Sequence, residues 1–283
     1  MDIYELINEM VQCRDIPVAV DKLLEFVDAA LADENKEEVV GTFYQNVLDE
    51  TLMDYIESAG DGGYEVYTGD DAAGKYLALT LPPLGTPFRT LQKIKKSAEF
   101  TKKYVCAPIG RGITEERVRE IMEYMNHEYR FTELVFGGKK AMICLLDYSH
   151  TGYDSEFLTM ADEDGMSHHM IMFHMNNCTN VNPEAVFFHE LGHALHARYT
   201  GNLNRIPEDI VGILKDTCMP KISSLKDAEK MEVIADVLGM GLMYESGFEK
   251  YDGFPEIQKH DKAFFHDMVV RMFELINEQV LGV

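Results

Sequence analysis

The sequence lacks the features that mark secreted, disulfide-bonded and membrane-spanning proteins. Its five cysteines are scattered and form no CxxC pair, which argues against a disulfide framework or a cysteine zinc site. No window approaches the roughly 18 uninterrupted apolar residues of a transmembrane helix. The first residues are acidic and amphipathic, and no basic segment followed by an apolar run predicts a secretory signal. We therefore expect a cytoplasmic protein with reduced thiols and no membrane contact.

Basic residues are also scarce, with 26 Lys and Arg against 49 Asp and Glu and a formal net charge of -23. This charge disfavours nucleic acid and anionic lipid as main partners. It is unevenly spread, because residues 1–60 carry 15 acids and 3 bases whereas residues 89–117 carry 8 bases and 3 acids. We predict that the basic run at 89–103 is a solvated face or an internal partner of the acidic N-terminal region. A docking surface for an acidic protein is the alternative.

The chain is long enough to bury a sizeable core, with 283 residues, and four regions can be distinguished by their pattern. They are an acidic helical N-terminal region at 1–62, a mixed β and irregular region with the basic segment at 63–112, an α+β subdomain at 113–201, and a helical subdomain at 202–283.

Two hairpins are predicted inside the third region, after an amphipathic helix that Thr114 caps. The first joins the apolar segments "FTELVF" and "KKAMICLLDY" through Gly137 and Gly138. The second is looser and spans residues 155–175. A helix is predicted to follow.

That helix lies in the stretch "NPEAVFFHELGHALHARYTG" and should run over residues 183–200. Asn182 stands at the N-cap position, Pro183 at the first helical position, and Gly201 just past the end. His189 and His193 are four apart, so they share one helix face. The opposite arc is apolar and should face the core: Phe187, Phe188, Leu191, Leu195 and Tyr199.

Two imidazoles on one helix face suit a borderline-soft ion such as zinc, and Glu190 stands beside them as a candidate general base. Gly192 leaves room for another backbone to approach closely. The alternative is a surface-facing histidine pair that binds no metal.

A third ligand is predicted in the apolar segment 231–243, whose only ionisable residues are Glu232 and Asp236. Apolar residues around the whole circumference predict a buried helix. Two buried carboxylates would cost several kcal/mol unless they are paired or bind metal. Both carboxylates would have a partner if Glu232 bound the metal and Asp236 accepted a hydrogen bond from a ligating histidine. The alternative is that both carboxylates bond to backbone or basic groups.

The HELGH motif followed by ExxxD resembles the gluzincin branch of the zincin metallopeptidases, with a weaker likeness to thimet-type oligopeptidases and ImmA/IrrE proteases. In thermolysin-like gluzincins, the matching residues imply one Zn²⁺ ion on His189, His193 and Glu232. Glu190 would activate water, and Asp236 would support a ligating histidine. The resemblance implies an α+β, zincin-like fold. Its small mixed sheet, backing helix and active-site helix lie over a mainly helical C-terminal lobe.

The resemblance also implies roles that several residues compete for. The strand of an upper zincin subdomain that pairs with extended substrate would be residues 168–175. A Tyr or His of the lower lobe would steady the oxyanion, and the candidates are Tyr244, Tyr251, His260 and His266. His174 and His196 are candidate substrate contacts, with a supporting or surface position as the alternative for His196.

The expected activity is zinc-dependent hydrolysis of peptide bonds in a peptide or protein substrate. One alternative is a regulatory or partner-binding protein of the same fold, with one specific protein target and little general protease activity. A structural metal site without turnover is a third hypothesis, although such a site has no need of Glu190.

Overall fold

The computed structural model describes residues 3–11, 16–48, 62–68, 85–104, 113–137, 140–146, 155–161, 167–174, 182–244 and 262–281. The helices in these ranges are α1 (Ile3–Val11), α2 (Ile16–Ala32), α3 (Lys36–Leu48), α4 (Pro87–Tyr104), α5 (Glu115–Tyr129), α6 (Phe131–Leu134), α7 (Pro183–Thr200), α8 (Glu208–Thr217), α9 (Asp227–Met243) and α10 (Lys262–Leu281), with a 3₁₀ turn at Ile222–Ser224. The strands are β1 (Tyr64–Thr68), β2 (Ala141–Leu146), β3 (Ser155–Ala161) and β4 (Ser167–His174).

The strands form one mixed sheet in the order β1-β2-β4-β3. β2 runs parallel to β1 on one side and to β4 on the other. Ile143 lies opposite Val66 of β1 and opposite Ile171 of β4, and both isoleucines are buried. β3 runs antiparallel to β4 and completes the sheet. The protein is therefore α+β, as predicted.

One of the two predicted hairpins is confirmed. β3 and β4 pair antiparallel from Ser155 opposite Phe173 to Ala161 opposite Ser167. The hairpin at 131–148 is wrong, because Phe131–Leu134 forms the short helix α6 and β2 lies between two parallel partners. A short apolar run fits a buried helical turn as well as a strand, and only tertiary packing decides between them.

The strand predicted to line a substrate cleft is also corrected. Residues 168–174 belong to β4, which lies inside the sheet between β2 and β3. The edge strand on that side is β3, and α7 packs against it. β3 precedes β4 in the sequence but lies at the edge of the sheet, and β4 pairs on its other side with β2.

The segment predicted as one mixed region, 63–112, is divided between two cores. β1 joins the sheet, whereas α4 packs on α2 and α3. Phe26 and Phe43 stack at 4.4 Å between centroids in the N-terminal core, which α4 extends with its own buried residues. Lys95 of the basic run donates to Asp28 at 2.7 Å, so part of this run does have an acidic N-terminal partner within the chain.

Among the described helices, none is both long and apolar enough to cross a membrane.

The second and larger core surrounds α7 and α9, which cross in backbone contact. The prediction for α7 is confirmed, because Asn182 Oδ1 accepts from the Glu184 N–H and Gly201 ends the helix with φ 72°. A Cβ atom on Gly192 would lie 2.3 Å from the Ala235 carbonyl oxygen, and one on Gly239 would lie 2.9 Å from a carbonyl oxygen of α7. The two glycines therefore set how closely the helices approach.

Replacing Gly192 by alanine should force α7 and α9 apart, because the new methyl group would overlap backbone that cannot rotate away. We expect a loss of at least about 1–3 kcal/mol, the usual cost of overpacking. Urea unfolding measures it. Gly212→Ala is the matched control, since a Cβ there meets nothing within 4 Å. It lies inside α8, so the change should instead stabilise by about 0.5–1 kcal/mol. Equal midpoints for the two variants would contradict the close crossing.

Candidate metal centre

The histidine pair lies on a helix that is buried around almost its whole circumference. His189 and His193 have side chains only 18% and 11% exposed. Glu190 between them is buried as well. The alternative of a surface-facing histidine pair is therefore wrong. The apolar arc predicted for α7 is buried, except that Tyr199 is only partly covered.

Helix α9 brings a carboxylate to these two rings. Glu232 Oε2 lies 3.2 Å from His189 Nε2 and 3.7 Å from His193 Nε2. The ligand atoms of the three residues all lie within 4.8 Å of one another, as a group that could hold a metal ion. Glu232 is 39 positions from His193 and 43 from His189 along the chain, so the crossing of α7 and α9 brings it to the two histidines.

Glu232 and Asp236 differ in burial, which corrects the prediction that both are buried. The Glu232 side chain is 57% exposed, whereas Asp236 is buried. Glu232 stands near the start of α9, and continuous burial begins only at Val233. The burial argument therefore holds for Asp236 alone, and the Glu232 side of the group is open to solvent.

Asp236 holds His189 in its orientation. Its Oδ1 accepts from His189 Nδ1 at 2.7 Å, which directs Nε2 of the ring towards Glu232. Burial by itself would lower the pKa of His189, but the hydrogen bonds to Asp236 and Glu232 outweigh it and raise the pKa to about 10. Hydrogen bonds from His189 and then His193 lower the pKa of Glu232. Both carboxylates thus contact candidate ligand histidines, Asp236 at His189 and Glu232 at His189 and His193.

The chemical types of the three donors suit a zinc ion, and so do the distances from Glu232 to the two imidazoles. Zinc takes histidine nitrogen and carboxylate oxygen at about 2.0–2.2 Å in a tetrahedron, which separates two ligand atoms by about 3.3 Å. The contacts of Glu232 with the two imidazoles, at 3.2 and 3.7 Å, lie close to that separation. A third protein ligand and an exposed side are what a catalytic zinc site requires.

Glu190 lies beside the group without belonging to it. Its negative charge helps to raise the pKa of His189, after the hydrogen bonds to Asp236 and Glu232. A glutamate in this position can accept a proton from a molecule held at the donors and return it to a leaving group. The role of Glu190 as a general base stays a prediction.

His196 is not a substrate contact. Its side chain has no exposed surface, and Nε2 lies 2.8 Å from the backbone carbonyl oxygen of Arg205. The Arg205 carbonyl is a partner that the sequence analysis missed, since backbone contacts of this kind leave no side-chain signal. His174 ends β4, and its side chain lies outside the described part of the chain.

Two of the four oxyanion candidates, Tyr244 and His266, lie away from the metal group. Tyr244 follows α9 directly and stacks on His266 of α10 at 4.9 Å between ring centroids. It is 12 residues beyond Glu232, which is about 18 Å along a helix axis. This distance exceeds the reach of a tyrosine, so the pair lies at the other end of α9. Tyr251 and His260 lie outside the described residues.

Another contact that sequence reasoning missed holds the start of α7. Arg117 of α5 donates from Nε to the Glu184 carboxylate at 2.7 Å. The pairing ties the first turn of α7 to the neighbouring helix. Its residues are 67 positions apart, so no local pattern could have indicated it.

Comparisons of this chain with protein-family models, with curated proteins and with solved structures find no match. The class is therefore defined by the fold and the donor group alone. The chain is an α+β protein with a His-His-Glu group that could hold a metal ion.

Proposed function

We propose that this protein is a zinc-dependent peptidase of the gluzincin type, which hydrolyses peptide bonds in a peptide or protein substrate. The observation that carries the proposal is the convergence of Glu232 on His189 and His193, with the buried Glu190 next to His189 in the sequence. Three protein donors and an adjacent carboxylate that can act as a base are the residues that a catalytic zinc site for this reaction uses.

The roles of the residues follow from their positions. A zinc ion bound to the three donors would polarise the scissile carbonyl and make a water molecule more acidic. Glu190 takes the proton of the attacking water and passes it to the leaving amine. Asp236 keeps His189 in the tautomer that leaves Nε2 free for the metal. Burial of Glu190 and His193 excludes bulk water from one side of the reaction.

A substrate strand would pair with β3. Only an edge strand has backbone groups left to bond with an added chain, and α7 packs against the edge strand β3. The role that the resemblance implies for residues 168–175 thus passes to residues 155–161. This arrangement supports extended peptides as the substrate class.

The test is a peptide-library assay with the full-length chain, carried out metal-free and after zinc is restored. We expect cleavage only with zinc, its loss with a chelator, and its recovery when zinc is added back. The full-length chain is needed, because a fragment that starts at residue 113 would lack β1 and leave one side of β2 unpaired. Bound zinc without cleavage of any peptide or protein would refute a peptidase and favour a structural metal site.

A regulatory protein with one target is the second candidate, and the N-terminal helices favour it. Buried residues of α2, α3 and α4 form a core of their own, and none of the three metal donors belongs to it. Part of the basic face on α4 stays exposed, including Arg89 and Lys93. Cleavage of a single protein, with the peptide library left intact, would favour this candidate.

A further inference from the structure

The two candidate ligand histidines differ in how their second ring nitrogen is held. Nδ1 of His189 has Asp236 as its partner at 2.7 Å. Nδ1 of His193 is buried, and no hydrogen-bond partner for it is found in the described part of the chain. A buried polar atom without a partner costs free energy. Metal-binding histidines almost always donate from this nitrogen, because the bond sets the tautomer and the ring orientation.

A second buried nitrogen of the same kind lies one turn further along α7. Nδ1 of His196 is also buried and also has no partner within the described ranges. Nε2 of the same ring faces the Arg205 carbonyl oxygen at 2.8 Å. A carbonyl only accepts, so Nε2 carries the hydrogen. Burial lowers the pKa of His196, which favours the neutral ring, and in the tautomer with the hydrogen on Nε2 the nitrogen Nδ1 is an acceptor.

The two nitrogens have complementary roles. When Nε2 of His193 binds a metal, its Nδ1 must carry the hydrogen and act as a donor. Nδ1 of His196 is an acceptor on the same helix. Residues three apart on a helix are neighbours, with Cβ atoms about 5–6 Å apart. A water molecule between two polar groups is a common solution where buried groups do not meet directly.

We propose that His196 positions the ligand His193 through one buried bridging water. His193 donates to the water, the water donates to Nδ1 of His196, and Nε2 of His196 donates to the Arg205 carbonyl. The chain of bonds anchors His193 to the loop after α7, as Asp236 anchors His189 to α9. His196 is thus a positioning residue of the metal centre. The inference rests on the proposed function.

A purely structural His196 would use only its bond to Arg205. The proposed hydrogen-bond relay, from His193 through the water to His196, makes a further requirement. In it, His196 must affect metal affinity, and it must do so through His193. A double-mutant cycle separates the two roles. His196→Met keeps the size of the side chain and removes both polar contacts, whereas His196→Gln keeps a donor and an acceptor. Each change is made with His193 present and in a His193→Ala background.

Zinc affinity of the full-length chain, measured by competition with a chromophoric chelator, is the main readout. We expect His196→Met to weaken binding about 10- to 100-fold, the range seen when a supporting contact of a metal ligand is lost. His196→Gln should recover most of it. Without His193, the His196→Met change should alter affinity less than about twofold. His127→Gln is the control, since His127 has an 85% exposed side chain and should leave affinity unchanged.

Thermal unfolding of the metal-free variants measures the structural part separately. Loss of the Arg205 contact should lower the melting temperature equally with and without His193. Nitrogen NMR of histidine-labelled wild-type protein gives a further readout, and His196 should carry its proton on Nε2.

A proton on Nδ1 of His196 instead would overturn the relay. So would wild-type zinc affinity in His196→Met, or an equal loss of affinity when His193 is absent. If one of these results is found but the wild-type protein binds zinc and cleaves peptides, the proposed function is still supported. A wild-type protein that binds no zinc refutes both.

Discussion

Replacing Glu190 by glutamine should lower the rate of peptide hydrolysis at least about a hundredfold, the smaller end of what a general base contributes. Glutamine has nearly the same shape and volume but does not accept the proton of the attacking water. Zinc content should stay at the wild-type level, because Glu190 lies beside the donor group rather than in it. The initial rate of peptide cleavage and the zinc content of the same preparation check both statements.

Glu184→Gln is the matched control for this variant. It changes a glutamate of the same helix that pairs with Arg117 at the first turn of α7. Its side chain is 25% exposed and has no place in the metal group, so activity should stay close to wild type. Full activity in Glu190→Gln would remove this residue from the mechanism, whatever the metal content.

Replacing Glu232 by alanine should remove both metal and activity. The change deletes the only carboxylate of the donor group, so zinc affinity should fall by more than about 100-fold, the upper end for losing a mere supporting contact. The Glu232 side chain is 57% exposed and no cavity opens in the core, so the metal-free variant should stay folded. Zinc content after dialysis and chelator competition measure the loss.

The control for this variant is Glu274→Ala on α10. Glu274 is an exposed glutamate that pairs with Arg271, and it lies outside the donor group. It should bind zinc as wild type does. Unchanged zinc affinity in Glu232→Ala would refute the third ligand and, with it, a catalytic centre of this composition.

The two variants together separate binding from chemistry. Glu190→Gln should keep the metal and lose turnover, whereas Glu232→Ala should lose both. Loss of metal in Glu190→Gln would instead indicate that this residue holds the donor group together. A peptidase that remains active after both changes would have its active site elsewhere.

Local signals carried the prediction of α7. Asn182, Pro183 and Gly201 act within one turn of their own position, so the helix bounds could be read without knowing what packs around them. The same holds for α9, whose apolar circumference predicts burial, and for the β3–β4 hairpin. Local signals could not predict which strands pair in the sheet. β1 and β2 are joined by more than 70 residues, and no periodicity says which strands meet.

The sequence also could not predict which residues are buried near the ends of helices. The apolar pattern around Glu232 and Asp236 predicted the same environment for both, yet one is open to solvent and the other is covered. Where a helix enters the core depends on the neighbours that cross it. His196 shows the reverse case: a polar residue beside the motif is fully buried because the loop at Arg205 folds back over it.

The amino-acid sequence alone determined the identity of the donor residues, the helix that carries two of them, and the need of the buried carboxylate at Asp236 for a partner. Those properties follow from side-chain chemistry and from helix geometry, which act over a few residues. The tertiary structure alone decided that Glu232 reaches both imidazoles, that β3 rather than β4 forms the edge, and that His196 faces inward. Each of these depends on backbone contacts between distant segments, above all the glycine-mediated crossing of α7 and α9.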